Sequence, residues 1–356
     1  MHPPAFPHAL AVSPTVRPTD ASSLGAAILG TTLALLLLSG CDFADDDDAD
    51  QGDWTEVSSF EGVPRSNAVA FSIGEKGYLG TGFDGDDPLA DLWEFDPVLN
   101  FWTQRASLPA PPRSAAVGFA VNGRGYVGTG FNDDIEDDVL ADFWRYDPAA
   151  NTWTQVADFG GAARFGAVAF TLGGRGYVGT GNDDDNDLKD FWAYDPVADA
   201  WTQVVSLPGD KRLGASAFVL DGRAYVGTGR NNGVLEDDFW AYDPAANQWT
   251  RLADIDEDED GDGIALPRLN AVGFAVGGRG YLATGERGEL SSAVWQYDPL
   301  TDTWEEFSAY DGLPRFDAVA FVVNDVAYVG TGTTGSSRFD DVWAFDPTVE
   351  NDDDDD

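Results

Sequence analysis

Histidine, cysteine and lysine are nearly missing from this 356-residue chain, and each scarcity closes off a class of function. The two histidines, His2 and His8, stand at the extreme N-terminus, and Cys41 is the one cysteine. Beyond residue 41 there is neither imidazole nor thiol, which excludes Ser-His and Cys-His nucleophilic chemistry and His-ligated zinc or copper. Lysine is confined to Lys76, Lys189 and Lys211, while Asp and Glu number 63 against 20 for Lys plus Arg, giving a formal net charge of -43. So anionic a chain repels nucleic acid and acidic membranes, and neither is an expected partner.

Long apolar runs are also scarce. The single one, from Leu24 to Leu38, is too short for a comfortable membrane span and ends in Leu38-Ser39-Gly40-Cys41. It resembles a bacterial lipoprotein signal, with Cys41 as the lipidated mature N-terminus; the plainer alternative is a secretory signal with an accidental cysteine. Residues 1–40 are then the signal. Residues 41–52, with Asp45 to Asp48, form an acidic tether that cannot bury enough apolar surface to fold. The resemblance implies a protein held at the cell envelope by its lipid alone. An acidic run after the cysteine is similar to surface-export signals, whereas Asp42 directly after it is similar to an inner-membrane retention signal; the outer membrane or cell surface is the expectation.

What the chain has in quantity is tryptophan in pairs. Trp93/Trp102, Trp144/Trp153, Trp192/Trp201, Trp240/Trp249 and Trp295/Trp304 are each nine residues apart, with Trp54 and Trp343 left over at the two ends. Around every pair the same phrase recurs: an arginine, a stretch of the Ala-Val-Ala-Phe type, a Gly-Arg-Gly turn, Tyr-Val-Gly-Thr-Gly, a variable stretch, Asp-x-Trp-x-Tyr-Asp-Pro and a final x-Trp-Thr. In the second copy Ala115 to Val121 reads as a strand, Asn122-Gly123 as a hairpin turn and Gly125 to Gly130 as the return. Asp142 to Tyr146 and Trp153 to Val156 complete a four-stranded meander around the Asp147-Pro148 turn. The first strand alternates small residues (Ala116, Gly118, Ala120) with large ones (Val117, Phe119, Val121), which suits sheets packed face to face.

A period near 50 residues marks a propeller, and this repeat resembles the kelch family from Trp54 to Pro347. Gly-Thr-Gly stands where that family usually has a Gly-Gly doublet. The resulting expectation is an all-β fold: a six-bladed kelch-type β-propeller with four-stranded blades, spanning residues 53–349 and followed by an acidic tail, 350–356. The last copy stops before its second tryptophan, so Trp54 is expected to supply the outer strand of the sixth blade and close the ring.

The six opening arginines, Arg65, Arg113, Arg164, Arg212, Arg268 and Arg315, mark the start of the inner strands, on the face that also carries the variable loops. The Asp-Pro turns on the opposite face are nearly uniform. Binding sites on a rigid scaffold occupy its varied loops, so the ligand face is assigned there. Kelch resemblance gives the arginines a role in holding anionic ligands around the channel mouth. The competing role is structural, pairing with the aspartate of the Asp-x-Trp segment. Asp254, Asp256, Asp258, Asp260 and Asp262 alternate like the start of a calcium loop, but position twelve from Asp256 is Pro267 rather than the closing glutamate, so solvated acid competes with a calcium site.

The functional expectation is therefore a monomeric, lipid-anchored binding propeller without cofactor, calcium apart, recognising a protein or carbohydrate. The absence of His and Cys sets it apart from kelch-type copper oxidases. The alternatives are a sugar-modifying enzyme similar to kelch sialic acid mutarotases, working through arginine and a carboxylate, and a structural surface protein. The acid excess runs through every copy and both tails, which points to salt adaptation: hydrated carboxylates screened from one another by salt. Melting temperature is accordingly expected to rise along a sodium chloride series, and a maximum at zero salt would refute salt adaptation.

Overall fold

The computed structural model describes residues 51–255 and 268–350. Every regular element in them is a strand, and six antiparallel sheets of four are built in the same way. Blade 1 runs Val69–Ile73, Lys76–Gly80, Leu92–Asp96 and Phe101–Arg105, and blade 2 runs Val117–Val121, Arg124–Gly128, Phe143–Asp147 and Thr152–Val156. Blades 3, 4 and 5 begin with Val168–Leu172, Ser216–Leu220 and Val272–Val276. Blade 6 takes Val319–Val323, Val326–Gly330 and Val342–Glu350 from the C-terminal end, and its outermost strand is Gln51–Glu56. Trp54 pairs with Phe345 across that last ladder, so the first and last described segments share one sheet.

Each innermost strand begins four residues after its arginine, not at it: Val69 follows Arg65, Val117 follows Arg113 and Val319 follows Arg315. The turns follow the local chemistry. Asn122 and Gly123 both adopt left-handed φ, 51° and 72°, as a two-residue hairpin requires. On the same face the Asp-Pro turns are closed by the aspartate itself, whose Oδ1 accepts from the next two free N–H groups, as Asp96 does from Val98 and Leu99. This local job explains why that residue recurs in every blade.

Strand alternation sorts the inner strands by size. In blade 2 Val117, Phe119 and Val121 are buried on one face, whereas the small Gly118 and Ala120 lie on the other, against Val69 and Phe71 of blade 1. Six apolar clusters result, each drawn from two neighbouring blades, and the one that joins blades 5 and 6 contains Trp54. The small residue before each second-strand tyrosine, glycine in four blades and alanine at Ala224 and Ala327, is a slot for the previous blade. A Cβ on Gly125 would stand 2.5 Å from the Phe71 ring, and one on Gly77 would stand 2.1 Å from the Phe321 ring across the closure. Each phenylalanine so buried contributes about 1.5–3 kcal/mol, and a ring with no open end leaves none of these faces exposed.

Candidate functional site

The arginines sit beneath the channel mouth rather than around it. All six are essentially inaccessible to solvent. Arg113 donates from Nη1 and Nη2 to both oxygens of Asp142, at 2.7 and 2.9 Å, from Nη1 to the Thr129 carbonyl and from Nε to the Pro111 carbonyl. The same bidentate pair joins Arg65 to Asp91, Arg164 to Asp190 and Arg315 to Asp341, and Arg212 lies 2.6 Å from Asp238. Aromatic faces cover several of the guanidinium groups, as Phe60 covers Arg65 at 4.7 Å. The aspartate also accepts from the indole of the following tryptophan, Trp144 to Asp142 at 2.6 Å. Burial pushes the carboxyls of Asp142, Asp190 and Asp341 up, but the paired arginine and the indole more than offset it and hold them below the usual range. With their donors directed inward to these partners, the arginines present no guanidinium to a ligand at the mouth, which corrects their placement as a ligand-binding ring.

Blade 5 departs from this pattern. Ala293 stands where the others have aspartate, Arg268 donates to the Thr284 and Ala293 carbonyls, and the buried Trp295 indole N–H has no acceptor. Burial pushes the Arg268 guanidinium down to about 10.

Each arginine also fixes the backbone around it. The middle threonine of Gly-Thr-Gly adopts a left-handed φ of 56° to 63° in all six blades, which turns its carbonyl toward the arginine. That conformation costs a β-branched residue of the order of 1 kcal/mol or more, offset here by the buried donor it satisfies. The next glycine has φ from 87° to 104°, and its N–H donates to the arginine carbonyl of the following blade at 2.7–2.9 Å, from Gly82 to Arg113 and onward to Gly332 to Arg65. Six such bonds close a circle.

A second circle runs in the opposite sense at the mouth itself. Two residues after each arginine stand Asn67, Ala115, Gly166, Gly214, Asn270 and Asp317, every one with φ between 49° and 64°. Each N–H donates to the carbonyl of its counterpart in the preceding blade, Ala115 to Asn67 and so on round to Asn67 to Asp317, at 2.9–3.2 Å. With the alanines that follow them, these six residues line an opening of about 130 Å³. Below it the channel widens to about 410 Å³, lined mostly by small residues and the edges of the inner-strand phenylalanines. Because the collar backbone satisfies itself, the side chains that vary in it are what the mouth presents to a ligand.

Those side chains are unequally distributed. Blades 2, 3 and 4 contribute Ala115, Gly166 and Gly214, whereas blades 5, 6 and 1 contribute Asn270, Asp317 and Asn67. Asn67 Nδ2 donates to Asp317 Oδ2 at 2.8 Å, the one hydrogen bond made to that carboxylate among the described residues. Enclosure in the collar pushes the Asp317 carboxyl up to about 7; the Asn67 hydrogen bond opposes this, Glu286 adds to it and Arg338 opposes it. Above the collar, antiparallel bridges pair Ser66 with Phe83, Ser114 with Phe131, Phe165 with Asn182, Leu213 with Arg230, Leu269 with Glu286 and Phe316 with Thr333. This second tier is Ser-Phe in blades 1 and 2 and differs in each of the other four. The collar is not among the sequence candidates, although it lies two residues from each arginine; the second tier, directly after Gly-Thr-Gly, opens the variable loops to which the sequence assigns the ligand face.

Of the proposed calcium loop, Asp254 is described and holds Arg251 through both oxygens; Asp256, Asp258, Asp260 and Asp262 lie outside the described residues, as does Cys41. Among the described residues no group of three or more His, Cys, Asp or Glu is placed to hold a metal ion.

A profile of the kelch motif matches residues 211–255, the span of blade 4. The chain is a six-bladed β-propeller that carries a kelch motif. Its fold is shared with the solved structure of YjhT, at a TM-score of 0.68 and 17% sequence identity, over 80% of this chain and 95% of that one. No curated protein matches it in sequence.

Two substitutions test this account of the arginines and the mouth. Ala293→Asp supplies blade 5 with the acceptor that the Trp295 indole lacks and is expected to stabilise the propeller by about 1 kcal/mol, the typical net worth of a hydrogen bond, measured by urea unfolding. Asp317→Asn keeps a side chain that tolerates left-handed φ while removing the charge. The raised carboxyl favours folding most below its unfolded value of 3.8, and this contribution is lost as pH rises through about 7. The asparagine variant is therefore expected to be more stable than the parent at pH 8, by about 1–3 kcal/mol after allowing for water in the channel, and the gap should close toward pH 5. A gap independent of pH would contradict it.

Proposed function

We propose that this kelch propeller is an extracytoplasmic binding module, anchored through lipid on Cys41 and recognising its ligand or protein partner at the channel mouth and the loops around it. One observation carries the reading: blades that share their buried arginines and Asp-Pro turns differ at the collar, where Asn, Ala, Gly and Asp occupy equivalent positions, and in the tier above it. A purely structural ring has no use for such variation around its mouth. On the opposite face the Asp-Pro turn repeats in all six copies.

The mutarotase-type alternative required arginines in the mouth. Burial of all six arginines, five of them against aspartates, weighs against that reading and in favour of a binding role. The envelope location rests on the Leu24–Leu38 run and on Cys41.

The test has two arms. Cys41→Ser should abolish palmitate incorporation and release the protein from the membrane fraction; unchanged fractionation would remove the anchor. A thermal-shift screen of the purified protein against sugars, peptides and calcium should yield a ligand whose stabilisation is lost in Phe131→Ala/Phe165→Ala. It should survive in Asp221→Asn, on the opposite face. Equal loss in both variants would sink the assignment of the binding face.

A further inference from the structure

The collar holds one carboxylate without an ion-pair partner among the described residues, Arg338 acting on it only from a distance. Asp317 has no ion pair, its Oδ2 takes a single hydrogen bond from the neutral amide of Asn67, and its Oδ1 takes none. In the neighbouring blade 5 the Asn270 amide, whose oxygen lies toward Gly214, makes no side-chain hydrogen bond among the described residues. Carboxylate and amide therefore face an opening of about 130 Å³ with acceptor atoms to spare.

Size and charge restrict what can sit there. The opening is well below the roughly 300–1,000 Å³ that encloses a drug-sized ligand, so it admits a headgroup and not a whole sugar. A divalent cation such as calcium takes about 6–8 oxygens and more than one anionic ligand, which a single carboxylate between two amides does not supply. Anions are opposed by Asp317 itself and by the acids of the surrounding loops, of which Asp86, Asp87, Asp133, Asp134, Asp184 and Asp185 are exposed. A monovalent cation with several N–H donors fits: it would give Asp317 a charge-assisted hydrogen bond and satisfy the Asn270 carbonyl. The half-buried rings of Phe131, Phe165 and Phe316 in the tier above offer apolar surface and aromatic faces to a stem leaving the mouth.

Resting on the binding-face reading above, we infer that the collar is a receptor for a primary ammonium on an alkyl stem, with Asp317 as the charge partner, Asn67 and Asn270 as flanking amides and the rim phenylalanines against the stem. A lysine side chain of a protein partner and a free polyamine share this chemistry. The high carboxyl of Asp317 agrees with the assignment, because an incoming cation relieves a charge that the collar alone leaves costly.

The test is calorimetric titration of the purified protein at pH 8 with butylammonium, spermidine and an acetylated, amidated Gly-Lys-Gly peptide, the norleucine peptide serving as neutral control. Saturable 1:1 binding of an ammonium probe is expected, weakened at least tenfold by Asp317→Asn and unchanged by Asp221→Asn. Asn270→Gly, which installs the residue that blades 3 and 4 already carry, should weaken it to a lesser degree. Tighter binding of the lysine peptide than of the amines would indicate a protein partner, and the reverse a polyamine. Affinity equal in the parent and Asp317→Asn would mean diffuse attraction to the acidic loops and would overturn the inference, as would equal binding of the norleucine peptide. If no ammonium probe binds while another ligand from the thermal-shift screen loses its stabilisation in the rim variant, the ammonium site falls and the binding face stands.

Discussion

The buried guanidinium in each blade is the element from which the rest of the ring is organised. One side chain ties together three things distant in sequence: the aspartate ahead of the third strand, the left-handed threonine at the end of the second, and the loop from which the arginine itself comes. Breaking such a pair strands a charge in the interior, at a cost of about 3–5 kcal/mol, and five of the six blades keep both members. The tryptophan that follows the aspartate belongs to the same network, since its indole donates to the carboxylate and fixes how that side chain faces the arginine. Blade 5 shows the dependence in reverse: where Ala293 replaces the aspartate, the Trp295 indole is left without an acceptor.

This network has a consequence for the channel. Because the arginine backbone carbonyl accepts from the preceding blade, and the residue two positions on donates to that blade's collar carbonyl, every blade is fastened to its neighbour by two bonds running in opposite senses. Closure by the Gln51–Glu56 strand makes both circles continuous, and a continuous circle leaves no terminal blade to fray. The mouth is rigid in its backbone for that reason, and its side chains are free to differ without cost to the scaffold. Asn, Ala, Gly and Asp can all occupy the left-handed collar position, though Ala at some expense, which leaves a polar half and an open half in one ring.

The blades themselves are legible in the amino-acid sequence. Strand number, the hairpin at Asn122-Gly123, the small and large alternation of Ala116 to Val121 and the contribution of Trp54 to the last blade all follow from local pattern and from counting copies. Boundaries are displaced by a residue or two, and the inner strand begins after the arginine rather than at it, because the intervening residues form the collar. The site is much less legible. Repetition draws attention to the arginines, but a residue that recurs six times serves what is common to six blades, which is holding them together. The residues that differ, Asn67, Asn270 and Asp317 among them, stand beside the arginines as interruptions in the pattern.

The sequence by itself determined that the chain is a closed six-bladed ring without histidine or cysteine chemistry, since periodicity and composition are local properties of the chain. Only the tertiary structure decided which side chains are spent on the scaffold and which are offered to a partner. Whether a guanidinium faces a ligand or a buried aspartate 29 residues away, as Arg113 faces Asp142, depends on how the loop before the third strand folds back over the arginine. Likewise, Asn67 and Asp317 meet across 250 residues only because the ring closes. Such contacts are non-local: the repeat offers the Arg-Asp pairing as one of two roles, and nothing within one repeat encodes a contact across the closure.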